Sequence, residues 1–243
     1  MNLPFHKTLL IIPTYNEIDN IDKMLATLTT LYPTLNVLII DDGSPDGTAN
    51  VVKQYELKFP NTIFLKQRTG KLGLGTAYIA GFQWALERNY DFVFEMDCDF
   101  SHDPQDIPRL LEAAQNYDLV IGSRYIDGIR IINWPFHRLL LSYCAGIYTR
   151  KITGLEVFDP TGGFKCFTRK ALASLNLDRI FSNGYSFQIE LNYKIWASGL
   201  KIKEVPIIFT ERRDGQSKMS GTIIHEAILA VIKLRIRKIL GIL

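Results

Sequence analysis

Cysteine is scarce in this chain. Only Cys98, Cys144 and Cys166 are present, odd in number and scattered, which excludes a disulfide framework and a zinc-ligand spacing. A reducing, cytoplasmic setting fits that usage. No stretch reaches the roughly 18 consecutive apolar residues of a membrane span. The apolar stretch Thr8 to Ile12 ends at Pro13 with no small-residue cleavage site, so no secretory leader is expected there. An excess of one charge is also missing. With 28 basic and 25 acidic residues the net charge is +3, too mild to imply a nucleic-acid partner. There is no internal repeat and no low-complexity linker. The first apolar stretch lacks a Gly-x-Gly-x-x-Gly turn, and Gly70 to Gly75 lacks the Gly-Lys-Ser/Thr ending of a P-loop. The usual dinucleotide fold and the P-loop are thereby excluded. Any phosphates must be held by a metal and basic side chains.

What the chain does have is apolar mass and alternation. Its 243 residues are 47% hydrophobic, ample for one sizeable core with an extension. Leu9 to Pro13 reads as a strand, and Ile21, Met24, Leu25, Leu28 and Leu31 then recur at helical spacing until Pro33. Asn36 to Ile40 is a second strand, with Thr48 or Asp46 available to cap the helix that follows through Phe59. Ile63 to Leu65, Phe92 to Met96 and Leu119 to Ile121 continue the series, with helices to about Arg88 and over 106–116. Such alternation predicts an α/β fold with a doubly wound, mainly parallel sheet. The second half is less regular. A helix is expected from Asn133 to Thr153, a loop from Asp159 leads into a strand at Phe167, and Ser186 to Ser198 is a helix. Ile202 to Phe209 is a strand interrupted by Pro206, and Thr222 to Leu243 an apolar helix whose last turns carry Lys233, Arg235, Arg237 and Lys238. The expected division is residues 1–221 as the main domain and 222–243 as a C-terminal helix.

The chain is organised around Phe92 to Pro104, where a short apolar strand runs into Asp97-Cys98-Asp99. Ligands of open α/β sheets gather outside the carboxyl ends of the strands. Two acids there, with no base beside them, suit a hard divalent cation, Mg²⁺ or Mn²⁺, shared with substrate phosphates. The plainer reading is an acidic loop that only caps the helix after Pro104. Glu17 and Asp42 stand at the ends of the first two strands, so the carboxylates converge on one edge, with Asp42 placed to accept hydrogen bonds from a base or ribose. Arg124, Arg138, Arg212 and Lys218 lie in loops or at helix starts. Each alone reads as well as a solvated surface charge. Four facing the acidic edge read better as phosphate ligands.

Seven pieces occur in order: Pro13-Thr14-Tyr15-Asn16-Glu17, Ile40-Asp41-Asp42-Gly43-Ser44-Pro45-Asp46-Gly47-Thr48, Lys71-Leu72-Gly73-Leu74-Gly75-Thr76-Ala77, Met96-Asp97-Cys98-Asp99-Phe100-Ser101-His102, Gly122-Ser123-Arg124-Tyr125, Asn133-Trp134-Pro135 with Arg138, and Gly215-Gln216-Ser217-Lys218. Together they resemble glycosyltransferase family 2, and within it the polyprenyl-phosphate (dolichol-phosphate) mannosyl synthases, over nearly the whole chain. The resemblance implies a Rossmann-like nucleotide-sugar domain of GT-A type, a GDP-mannose donor and a polyprenyl or dolichyl phosphate acceptor. It implies that Pro13, Tyr15, Glu17, Ile40 and Asp42 hold the guanosine, and that Asp97, the Cys98 backbone and Asp99 meet the diphosphate and metal, with Asp99 the principal ligand. Ser101 stands where the family often has Gln, as a third metal residue. Arg124 and Arg138, with Ser142, are implied at the acceptor phosphate, and Arg212 and Lys218 on a loop over the donor. Gln216 replaces the usual Glu of that loop.

Some chemistry follows from charge alone. A lipid monophosphate has a second pKa near 6 and needs no general base at neutral pH. The expected reaction is one in-line displacement with inversion. The alternative keeps the fold but transfers glucose or another sugar from a UDP-sugar; a non-catalytic binding module is disfavoured by the intact acids and arginines. The chain lacks the Gln-x-x-Arg-Trp element of processive synthases, and it lacks the two transmembrane helices of some lipid-linked relatives. Its last helix, apolar with a basic end, fits an interfacial helix on anionic lipid, or else a core helix packed on the domain. The expected location is peripheral, on the cytoplasmic face of a membrane, with room for a membrane-anchoring partner protein.

Overall fold

A computed structural model describes residues 3–182, 184–211 and 221–242, with only the backbone described for 221–227. In chain order the elements are β1 (Thr8–Thr14), α1 (Ile18–Leu31), β2 (Asn36–Asp41), α2 (Thr48–Lys58), β3 (Ile63–Gln67), α3 (Leu74–Glu87), β4 (Phe92–Glu95), α4 (Ile107–Ala114) and β5 (Leu119–Ser123). There follow β6 (Ile131–Ile132), α5 (Phe136–Thr153), β7 (Lys165–Thr168), α6 (Arg169–Ala173), α7 (Gly184–Ala197), β8 (Ile202–Pro206), β9 (Phe209–Thr210) and α8 (Gly221–Ile239). The main sheet has the order β3-β2-β1-β4-β7-β5-β8. The expected α/β, mainly parallel sheet is present. One strand departs from it: β7 runs antiparallel to both β4 and β5, so the two parallel blocks do not touch.

Alternate residues of each strand feed opposite cores, as the two-residue period of a strand requires. Leu9, Ile11, Leu38, Ile40 and Val93 face α3, α6 and α7. Leu10, Ile12, Val37, Ile39 and Phe94 face α1, α2 and α4. Coverage on both faces is why these strands read as continuous apolar runs. Gly81 lets α3 press onto β1, since a Cβ there would lie 2.7 Å from the Ile11 side chain.

Pro206 ends β8, and after Ile207 and Ile208 the chain re-pairs as β9 with β6 in a separate two-stranded sheet. The cap of α2 is shared. Gly47, in a left-handed conformation, is the cap residue, while Asp46 Oδ1 accepts from Thr48 N at 2.9 Å and from its hydroxyl at 2.6 Å.

The terminal helix packs on the domain. Val231 and Leu234 are fully buried in the α3–α7 core. Its bases do not simply point outward. Lys233 and Arg237 lie over the Phe181 ring, and Lys238 lies 3.7 Å from the Trp196 centroid. Among the described residues no helix is long and apolar enough to cross a membrane.

Candidate active site

The carboxyl ends of β1, β2, β4 and β5 point to one edge because these strands are all parallel in sense. The loops leaving β1 and β2 are stitched together there. Asn16 N donates to Ser44 Oγ, Glu17 N to Thr48 Oγ1 and Ile18 N to Asp46 Oδ2, at 3.0–3.1 Å. The adjacent acids at the end of β2 divide the work. Asp41 is buried and builds the turn, accepting from Thr14 Oγ1 at 3.1 Å, Ser44 N at 3.0 Å and Ser44 Oγ at 2.5 Å.

Asp42 is paired instead with Arg68, whose Nε and Nη2 lie 2.6 and 2.5 Å from its Oδ1. Arg68 also donates to Thr76 Oγ1 and to Gly73 O, so it ties Asp42 to the glycine-rich loop. Lys71 of that loop lies 4.5 Å from the centroid of the Tyr15 ring, which is exposed. Pro13 is half-buried above this edge. Ile40 is wholly buried, its side chain in the core, so only its backbone can meet a ligand.

At the end of β4, Asp97 keeps 41% of its side chain exposed. Asp99 Oδ1 accepts from Ser101 N at 3.1 Å and Ser101 Oγ at 2.6 Å. The first action of Ser101 is thus to orient Asp99. Phe100 adopts a left-handed backbone (φ 58°) that makes this tight return. Burial pushes the Cys98 thiol pKa well up, and the charges of Glu17, Asp99 and Asp97 push it further. The charges of three carboxylates, on the loops leaving two strands, are thus felt at Cys98. Among the described residues no cluster of three or more His, Cys, Asp or Glu forms a ready-made metal cage.

His102 is buried beneath the pair, and its Nδ1 accepts from Asp97 N at 3.3 Å. That bond fixes the neutral ring, so the 3.8 Å approach to Asp97 Oδ2 is not an ion pair. Burial, and secondarily Arg124, pull the His102 pKa to about 4 against Asp99 and Asp159. Below the same edge, Glu95 and Lys165 are register partners and fully buried. Burial drives Glu95 up and Lys165 down, against their mutual attraction. Lys165 Nζ donates to Gln188 Oε1.

A chain of ring contacts links the arginines to His102 beneath the acidic pair. His102 meets Phe209 edge to face (5.4 Å), and Arg124 lies 5.5 Å from the same ring and 5.4 Å from Trp134. Arg138 lies 4.1 Å from the Trp134 centroid. Arg124 is buried and held by Asp159, which accepts from its backbone N (2.9 Å), Nε (2.7 Å) and Nη2 (2.6 Å). Burial pushes the Asp159 carboxyl up, but the charge and hydrogen bonds of Arg124 prevail and hold it below its ordinary value. Ser142 lies one turn after Arg138 on α5, and Tyr125 OH donates to its Oγ at 2.8 Å.

Behind these groups is an apolar cavity of about 260 Å³ between α5, α7 and α8, lined by Arg124, Trp134, Ser142, Tyr148, Ile189 and Val231 among others. Arg212 and Lys218 lie outside the described residues. Sequence reasoning missed Arg68 and Asp159, whose partners are 26 and 35 residues away. Only the position of Arg68 just past a strand end signalled it.

Residues 9–175 match the profile of Glycosyl transferase family 2, more than half of the 243 residues. The chain belongs to glycosyltransferase family 2. This glycosyltransferase is 43% identical over 235 residues to polyprenol monophosphomannose synthase of Mycolicibacterium smegmatis, covering 96% of this chain and 89% of that one. It is 44% identical over 227 residues to undecaprenyl-phosphate mannosyltransferase of Micrococcus luteus, covering 93% of each. It is 34% identical over 235 residues to dolichol-phosphate mannosyltransferase of Pyrococcus furiosus, covering 94% of this chain and 63% of that longer one. Among solved structures, glucosyl-3-phosphoglycerate synthase from Mycobacterium tuberculosis with phosphoglyceric acid superposes with a TM-score of 0.67 over 93% of this chain and 79% of that one. Identity there is 18%, which shows a shared fold alone. The glycosyltransferase fold is thus of GT-A type.

Proposed function

We propose that the enzyme transfers mannose from GDP-mannose to a polyprenyl (dolichyl-type) monophosphate with inversion, giving polyprenyl phosphate mannose. The observation that carries this reading is the pairing of two guanidiniums on one indole with an apolar cavity behind them. A charged mouth on an apolar interior fits a lipid phosphate and does not fit a free sugar. The names of the relatives support the sugar and the lipid.

In this reading Tyr15, Glu17 and Asp42 hold the guanosine, with Arg68 fixing the Asp42 carboxylate. Arg124 and Arg138 carry the acceptor phosphate toward the anomeric carbon; guanidinium is permanently charged and matches phosphate geometry. Helix α5 starts without a side-chain cap or an acid in its first turn, which suits an anion near its N-terminus. The acceptor oxygen forms its bond on one face of the anomeric carbon as the bond to the donor diphosphate breaks on the other. No base is required, because the attacking oxygen is already ionised.

The donor set at the end of β4 is all hard oxygen. Two carboxylates without a full protein cage suit Mg²⁺ or Mn²⁺, which keep positions for water and phosphate. Asp97 and Asp99 would hold the ion, with Ser101 steadying Asp99. When bound, the ion supplies neutralisation of the departing diphosphate.

Arg138→Ala is expected to raise the KM for a short polyprenyl phosphate about 10- to 100-fold, the scale of losing a charge-assisted phosphate contact. The KM for GDP-mannose should change less than about 3-fold. Equal loss of both would remove Arg138 from the acceptor side.

The lipid substrate also needs a place at the bilayer. Phe136 (75% exposed), Leu140, Tyr143 and Ile147 share the outer face of α5, and Leu229, Ile232, Ile236 and Ile239 are exposed on α8. Tyr148 OH bonds Ile228 O between the two helices. This joint apolar face is read as resting on the membrane. Because Lys233, Arg237 and Lys238 are engaged by aromatic rings, apolar insertion rather than charge should dominate. Liposome flotation should therefore survive high salt, and Leu140→Glu with Ile232→Glu should release the protein. Flotation lost at high salt in the wild type would contradict this.

A further inference from the structure

Arg138 is paired at present with a residue of its own chain. The β6–β9 pair delivers Glu211 to it: Phe209 N donates to Arg130 O at 2.9 Å and Glu211 N to Ile132 O at 3.1 Å. This pins the Glu211 backbone beside Asn133-Trp134-Pro135. Arg138 Nη1 donates to Glu211 Oε1, in a pair whose side chains are 14% and 25% exposed. Two further donors at the same spot, Arg138 Nε and Trp134 Nε1, are buried without a hydrogen-bond partner among the described residues. The carboxylate therefore meets only part of what the guanidinium and indole offer.

We infer that Glu211 is a built-in competitor for the anion that Arg138 binds, and so loosens the hold on lipid phosphate and speeds its exchange. The inference rests on the acceptor placement proposed above. Carboxylate and phosphate use the same guanidinium fork. A monoester brings nearly two negative charges and three terminal oxygens, enough to displace a single carboxylate and to reach the donors it leaves unmet. The lipid product is a phosphodiester with one charge and two terminal oxygens. Displacing Glu211 costs either ligand the same, so the weaker-held product leaves readily and fresh acceptor takes its place. Glu211 tunes affinity at the acceptor site in this account and touches neither donor nor sugar.

The test is equilibrium binding of farnesyl phosphate and of its methyl diester to the purified enzyme without donor. Wild type, Glu211→Gln, Glu211→Ala and Arg138→Gln are compared, with urea midpoints as the check on folding. Both Glu211 variants should bind farnesyl phosphate about 2- to 5-fold more tightly, the scale of freeing one partly exposed ion pair. The diester should gain by the same factor, because a carboxylate that either ligand must displace penalises both equally. Unchanged or weaker binding by both Glu211 variants, while Arg138→Gln loses farnesyl phosphate, overturns the inference and leaves the acceptor placement standing. Arg138→Gln binding farnesyl phosphate as well as wild type overturns the acceptor placement itself.

Discussion

Asp99→Ala leaves a folded enzyme whose transfer of radiolabelled mannose from GDP-mannose to a short polyprenyl phosphate is lower by about 10²–10³-fold. That is the scale of losing one preorganised charge-stabilising group at a reacting centre. The loss follows from placement: Asp99 is oriented by the backbone and hydroxyl of Ser101 just past the end of β4, two residues after Asp97. Ser101→Ala removes one of those two bonds, worth about 0.5–1.5 kcal/mol. Turnover should then fall only about 2- to 10-fold. Chelation of wild type should reproduce the Asp99→Ala level, with activity restored by added Mg²⁺ or Mn²⁺. Full activity in a chelator, or unchanged turnover in Asp99→Ala, would refute the role.

The second large effect is on stability. Asp159→Ala should cost about 3–5 kcal/mol, because it leaves the Arg124 charge buried without its partner. Three hydrogen bonds from Arg124 converge on that one carboxylate. The double change Asp159→Leu with Arg124→Met removes both charges and should recover much of the loss, yet the double variant should still fail to use the lipid acceptor. Urea midpoints for the three proteins check the first claim, and acceptor KM checks the second. A cost under about 1 kcal/mol for Asp159→Ala would mean the pair is solvated in solution and that Arg124 does not depend on it.

The strands β1, β2, β4 and β5 were legible because each is a short apolar run buried on both faces and closed by polar residues, and the partly buried edge strand β3 because Ile63-Phe64-Leu65 is apolar. Asp97 and Asp99 were legible for the same reason, since an acid directly after such a run has only the sheet edge to occupy. The direction of β7 was not legible. Lys165-Cys166-Phe167-Thr168 carries no local mark of strand sense, and its buried Lys165 disguises a central strand. Asp159 looked like a turn residue in Asp-Pro-Thr-Gly-Gly, because its meaning lies in an arginine 35 residues away. The bases of α8 suggested attraction to anionic lipid. Their stacking on Phe181 and Trp196 depends on α7 and the loop before it, which local periodicity does not reveal.

The central claim is that the acidic pair and the two arginines bring an anionic donor to an anionic lipid. Its most direct measurement offers purified enzyme radiolabelled GDP-mannose or UDP-glucose, with divalent metal and a short polyprenyl phosphate, and counts label extracted into organic solvent. The account expects label from GDP-mannose alone, in a β-linked product, and only when lipid phosphate is present. Label from UDP-glucose instead, or no extractable label from either donor, would contradict it.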